Sequence, residues 1–128
     1  MDSSPYNPQL NLPDHDRRSI RTAIETQLRA LEVQDGEAAF AQASPGIQSL
    51  FGTPQAFLQM VHQSYAPLCH PRAVLFESLT LLQDNWTQPV LLLSRQGTPI
   101  RALYLMEQQP NLRWKINGCY LVPIHPHP

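Results

Sequence analysis

Few side chains in this sequence are of a type and placement to do chemistry. His62 stands beside Val61 in a stretch with helical apolar spacing, where a neutral imidazole is a general-base candidate. The plain alternative is a solvated or hydrogen-bonded helix histidine. Tyr65 and Tyr104 each carry a hydroxyl that could enter a pocket; as core aromatics they would give it to a backbone carbonyl or to water. Glu77 and Glu107 fall in strand-like segments, and a buried carboxylate has a raised pKa and can move protons. Alternation puts Glu107 on one face with Arg101 and Leu105, which points to a solvated cross-strand partner instead. Arg72 could grip a carboxylate with both arms of its guanidinium, or simply face water. An enzyme would draw on His62, Tyr65, Tyr104 and Glu107. A ligand site would draw on Phe57, Val61, Tyr65, Arg72, Tyr104 and Trp114, although core packing is the favoured role for Trp114.

Signatures of dedicated chemistry are missing. No nucleophile elbow, phosphate-binding glycine loop, dinucleotide fingerprint or His-Glu zinc motif occurs; Gly46 and Gly52 flank a short turn. His125 and His127 lie two apart in a Pro-rich tail, too few ligands for a zinc centre. Cys69 and Cys119 match no metal spacing and read as two reduced, partly buried thiols. No metal and no cofactor are expected.

The composition bounds the class. With 128 residues, of which 42% are hydrophobic, one domain with a packed core is expected. A net charge of −1 argues against nucleic acid, whose binders carry a clustered basic patch. No apolar run approaches the roughly 18 residues of a membrane span. The polar segment Met1–Asp16 lacks the apolar core of a secretory signal, so a cytoplasmic protein is expected.

These residues need elements to position them. Prolines concentrate at the ends and joints, giving an arm over residues 1–13, a single domain over 14–122 and a Pro/His tail over 123–128. Ile20, Ile24, Leu28 and Leu31 make one apolar stripe on a helix capped by Asp14 or Asp16 and ending near Gln34. Asp35 can cap a short alanine-rich helix. Ser44-Pro45 and Thr53-Pro54 each pair a capping hydroxyl with proline at the first helical position, predicting one turn to Gly52 and a helix from Pro54 to about Ser64. Near Pro71 the apolar period changes from three or four residues to two. Val74 to Leu81 and Trp86 to Arg95 read as strands. Ile100, Ala102, Tyr104 and Met106 form one face of a third. Leu112, Trp114, Ile116, Gly118, Tyr120 and Val122 form one face of a fourth, with a bulge expected at Asn117-Gly118. Helices first and strands last predict an α+β fold, N-terminal helices packed on a curved four-stranded antiparallel sheet.

The spaced run Ala43-Ser44-Pro45-Gly46-Ile47-Gln48, Leu50-Phe51-Gly52, Phe57, Met60-Val61, Tyr65 and Pro67 resembles the bacterial domain-of-unknown-function family 4864, as do Leu103-Tyr104-Leu105-Met106-Glu107 and Trp114-Lys115-Ile116-Asn117-Gly118-Cys119. The similarity extends from about Ile20 to Val122. It implies a relative of the nuclear-transport-factor-2-like superfamily, a cone of helices against a curved sheet, and it implies no activity. The loop at Pro110-Asn111 lacks the glycine that the family pattern leads one to expect.

Three functions fit these readings. One is a non-catalytic module for a small apolar ligand or a protein partner, with a homodimer through the outer sheet face. Another is a small cofactor-free acid–base enzyme, an isomerase, lyase or hydrolase. The third is an accessory subunit docking through its Pro-rich termini. Convergence of polar groups in a hollow cone separates the second from the first.

Overall fold

The structure, a computed structural model, describes residues 12–124. Both the arm expected over residues 1–13, save its last two residues, and the His125–His127 pair lie outside the described residues.

Among the described residues four helices precede the sheet: α1 (Asp14–Glu32), α2 (Gly36–Ala41), α3 (Pro45–Phe51) and α4 (Pro54–Ser64). The predicted stripe of α1 is its core face, with Ile20, Ile24, Leu28 and Leu31 all buried. Local chemistry starts the short helices as expected. Asp35 accepts from the Ala38 N–H at 3.0 Å, Ser44 Oγ from Ile47 at 3.3 Å and Thr53 Oγ1 from Ala56 at 3.1 Å. The start of α1 differs. Neither Asp14 nor Asp16 caps it; the cap position is Pro13. Asp16 turns inward, where its Oδ1 accepts from the Trp114 indole N–H at 2.9 Å. That bond latches the first turn of α1 to the start of the last strand. Leaving a buried indole N–H unpaired would cost about 1–3 kcal/mol, which outweighs one helix cap. α1 closes with a reciprocal pair of backbone bonds, Asp35 N–H to Ala30 O and Gln34 N–H to Leu31 O, with Gln34 at φ 58° where glycine is usual.

A 3₁₀ turn at Ala66–Leu68 leads into β1 (Ala73–Phe76), β2 (Thr80–Leu82), β3 (Asn85–Leu93), β4 (Pro99–Gln108) and β5 (Trp114–Pro123). Every pairing is antiparallel, in the order β1-β3-β4-β5, with β2 also paired to β3. The sheet thus has five strands where four were expected, because the first is broken at Glu77–Leu79. The break lies against Pro89, which offers a carbonyl to Glu77 N–H at 3.0 Å but has no N–H of its own to return. Ala102, Tyr104 and Met106 face the helices, as alternation predicted.

The last strand corrects the sequence reading. Leu105 pairs with Gly118 and Met106 with Ile116, so Asn117 has no partner across the ladder. This is the expected bulge, and it reverses the faces beyond it. Trp114 and Ile116 are buried, whereas Tyr120 and Val122 are exposed and belong to the outer face. Before the bulge, the edge of β5 is covered: Ile116 N–H donates to Gln42 O and Ser44 N–H to Ile116 O, both at 2.8 Å. After it the strand parts from the helices.

Candidate functional site

Where β5 parts from the helices, a cavity of about 300 Å³ opens between α3, α4 and the bulge. Its wall is mainly apolar, built from Ile47, Leu50, Phe51, Phe57, Met60, Val61 and Leu68, with Leu105 and Ile116 from the sheet. Phe57 anchors that wall, 5.4 Å from Phe40 and 5.8 Å edge-on from Phe51 between ring centres. Both helices owe their placement to the Ser44-Pro45 and Thr53-Pro54 starts, which fix where each chain reversal ends.

The polar side chains at the cavity are Gln27, Tyr65, Asn117, Cys119 and Tyr120. The Tyr65 hydroxyl donates to the Cys119 carbonyl at 2.8 Å, tying the end of α4 to the strand just past the bulge. Ser44 Oγ donates to Asn117 Oδ1 at 2.7 Å, and Gln27 Nε2 to Ala39 O at 3.2 Å. Burial pushes the Cys119 thiol up to about 12. Burial likewise raises the Tyr65 phenol, with Cys119 and Tyr120 acting in the same direction. At neutral pH both groups hold their protons, so neither is a thiolate nucleophile nor a base.

The residues singled out for chemistry do not converge. Phe57, Val61 and Tyr65 line the cavity. His62 is exposed on the water side of α4. Glu107 is exposed near the end of β4, where its carboxylate accepts from Gln109 Nε2 at 2.9 Å. Tyr104 is buried in the core and does not line the cavity; its hydroxyl has no hydrogen-bond partner among the described residues. Burial, and then the Cys119 and Cys69 thiols, raise its pKa well above the ordinary phenol value. Arg72 is exposed and lies against the Gly97 turn, and Trp114 is occupied with Asp16. Glu77 is held by Arg101 in a two-pronged ion pair of 2.7 and 3.0 Å, and that hydrogen bonding pulls its carboxyl below the ordinary range.

Sequence reasoning missed Ile47, Leu50, Met60 and Asn117 as cavity residues. The bulge was the available signal, since an extra residue on an edge strand re-aims the side chains beyond it. Among the described residues, no group of three or more His, Cys, Asp or Glu could hold a metal, and no helix is long and apolar enough to cross a membrane.

Helices followed by a curved, open antiparallel sheet, with a hollow between the layers, define an α+β protein consistent with a nuclear-transport-factor-2-like cone. Within that class the sequence profile of one family, domain of unknown function (DUF4864), matches residues 13–127, and the chain belongs to this family. No curated protein and no solved structure matches it.

Proposed function

We propose that this protein is a non-catalytic binding module that holds a small apolar ligand between α3, α4 and the bulged end of β5. One observation carries the reading: the cavity of about 300 Å³ is walled by aliphatic and aromatic side chains, with a few hydrogen-bonding groups at one side. Ligand sites have that construction. The acid–base alternative is weaker, because it needs two titratable groups within reach of one substrate atom. Of His62, Tyr65, Tyr104 and Glu107, only Tyr65 lines the hollow.

Fluorescence of the neutral dye N-phenyl-naphthylamine tests this. Its emission should rise and saturate with the native protein. Ile47→Trp, which fills the cavity from a half-buried position, should weaken binding at least about tenfold while the thermal midpoint is kept. No saturable rise, or equal binding by the filled variant, defeats the proposal.

A second reading has its own support. Cross-strand rows Leu75–Leu91–Arg101–Val122 and Pro89–Leu103–Tyr120 form the outer sheet face, and Leu75 and Tyr120 are 60% and 62% exposed there. Such a face supports a protein partner, here a second copy of the chain. Light scattering should show a dimer that Leu75→Glu with Tyr120→Lys dissociates; a monomer at every concentration removes this reading.

A further inference from the structure

Taking the cavity as a binding site, we infer that its ligand is uncharged: an apolar alcohol or carbonyl compound, and not the carboxylate or amine of the same length. No Asp, Glu, Lys, Arg or His stands among the described residues that line it. A buried ion without a partner loses hydration that nothing there replaces. The two ionisable types present, Tyr and Cys, do not supply the missing charge. Burial holds the Tyr65 phenol and the Cys119 thiol in their neutral forms near pH 7.

Hydrogen-bond bookkeeping narrows the head group. The Tyr65 proton is committed to the Cys119 carbonyl, so toward a ligand the phenol oxygen offers a lone pair. Asn117 Oδ1 is committed to the Ser44 hydroxyl, which leaves its Nδ2 as a donor with no partner among the described residues. A hydroxyl group uses both, donating to Tyr65 and accepting from Asn117; a carbonyl uses the second. A carboxylate meets neutral donors only, and the Tyr65 lone pair repels it. An ammonium meets an acceptor and no negative charge.

Displacement of bound N-phenyl-naphthylamine by octanol, octanoate and octylamine near neutral pH tests the inference. Octanol should displace the dye at a concentration at least about tenfold below either charged homologue. Leu50 supplies a second variant, because it lines the cavity and is 73% exposed at its rim. Leu50→Lys should keep the thermal midpoint and narrow the gap between octanol and octanoate without helping octylamine. Charged homologues acting within about threefold of octanol, or a gap that Leu50→Lys does not move, overturn the inference while the binding reading stands. Failure of the native protein to bind the dye at all overturns the binding reading, and the inference falls with it.

Discussion

The Gln88 side-chain amide donates to the Glu77 carbonyl at 2.7 Å, at the place in the sheet where Pro89 has no N–H to give. The proline carbonyl is used normally, by Glu77 N–H. Gln88 is buried, so the strand break at Glu77–Leu79 is closed by a side chain acting as a backbone donor. Gln88→Leu keeps the volume but removes the donor. It should lower the unfolding free energy by about 1–3 kcal/mol, the cost of an unpaired carbonyl in a dry site. Urea denaturation measures this, and a change inside experimental error would mean that water serves the carbonyl equally well.

Glu77 also bonds through its side chain, and this second role is pH-dependent. Hydrogen bonding to Arg101 lowers its folded-state pKa below that of the unfolded chain. A lowered carboxylate contributes stability above the ordinary range and loses it as pH falls through the lowered value. Both side chains are about one-third exposed, 31% and 38%, so solvent screening keeps the pair near 0.2–1 kcal/mol, roughly the value of surface pairs. Glu77→Gln should therefore cost a few tenths of a kcal/mol at neutral pH and almost nothing near about pH 3, below the carboxylate range. A deficit that persists in acid points to packing instead of charge.

The turn between β4 and β5 carries strain that a single change relieves. Leu112 sits at φ 69° with its side chain 63% exposed, and its N–H closes the turn onto Gln109 O at 2.8 Å. A left-handed backbone is unfavourable for leucine by about 1 kcal/mol and free for glycine. Leu112→Gly should raise the thermal midpoint slightly, a gain of no more than about 0.6 kcal/mol once the unfolded-state entropy of glycine is set against the strain. This is the loop that lacks the glycine expected from the family pattern. A lowered midpoint would show that Leu112 packs more than its exposure suggests.

Legibility followed range. Asp35, Ser44 and Thr53 were readable as caps because each serves an N–H three residues on. The faces of β4 were readable because strand alternation is local. Asp16 was misread as a cap because the indole that claims it is 98 residues away. The split into β1 and β2 depends on Pro89 in the neighbouring strand, a non-local cause with no mark in the segment that breaks. For the site, Phe57, Val61 and Tyr65 lay on a recognisable helix face, but the wall from β5 could not be placed without knowing that Asn117 is the unpaired residue.

Alkaline titration reads out the burial of Cys119. Its thiol is raised to about 12, and burial raises Cys69 and Tyr104 in the same direction. A raised acid contributes stability that is complete below its unfolded-state value and is lost as pH rises toward the folded one. For a thiol that window opens near about pH 8.5, and by about pH 10 the loss is on the order of 1–2 kcal/mol. Cys119→Ala should flatten the decline in stability across that window. Parallel curves for the two proteins would assign the decline to other groups.

The bulge itself is the most direct structural test of the cavity. Deleting Asn117 would join Ile116, opposite Met106, directly to Gly118, opposite Leu105, so the ladder closes in its present register and the faces beyond it are kept. Tyr65 would keep its Cys119 carbonyl partner, whereas Ser44 would lose its amide. The deletion should cost about 1–3 kcal/mol, the lost partner of the buried Ser44 hydroxyl. By contrast, a Cβ at Gly118 would meet the Leu105 side chain, tightly only at Cδ1, 3.1 Å away, and that flexible tip can yield. Gly118→Ala should therefore cost less than about 1 kcal/mol and keep dye binding. If the deletion variant folds and still binds N-phenyl-naphthylamine like the native protein, the hollow is made by the helices alone and the bulge is incidental to it.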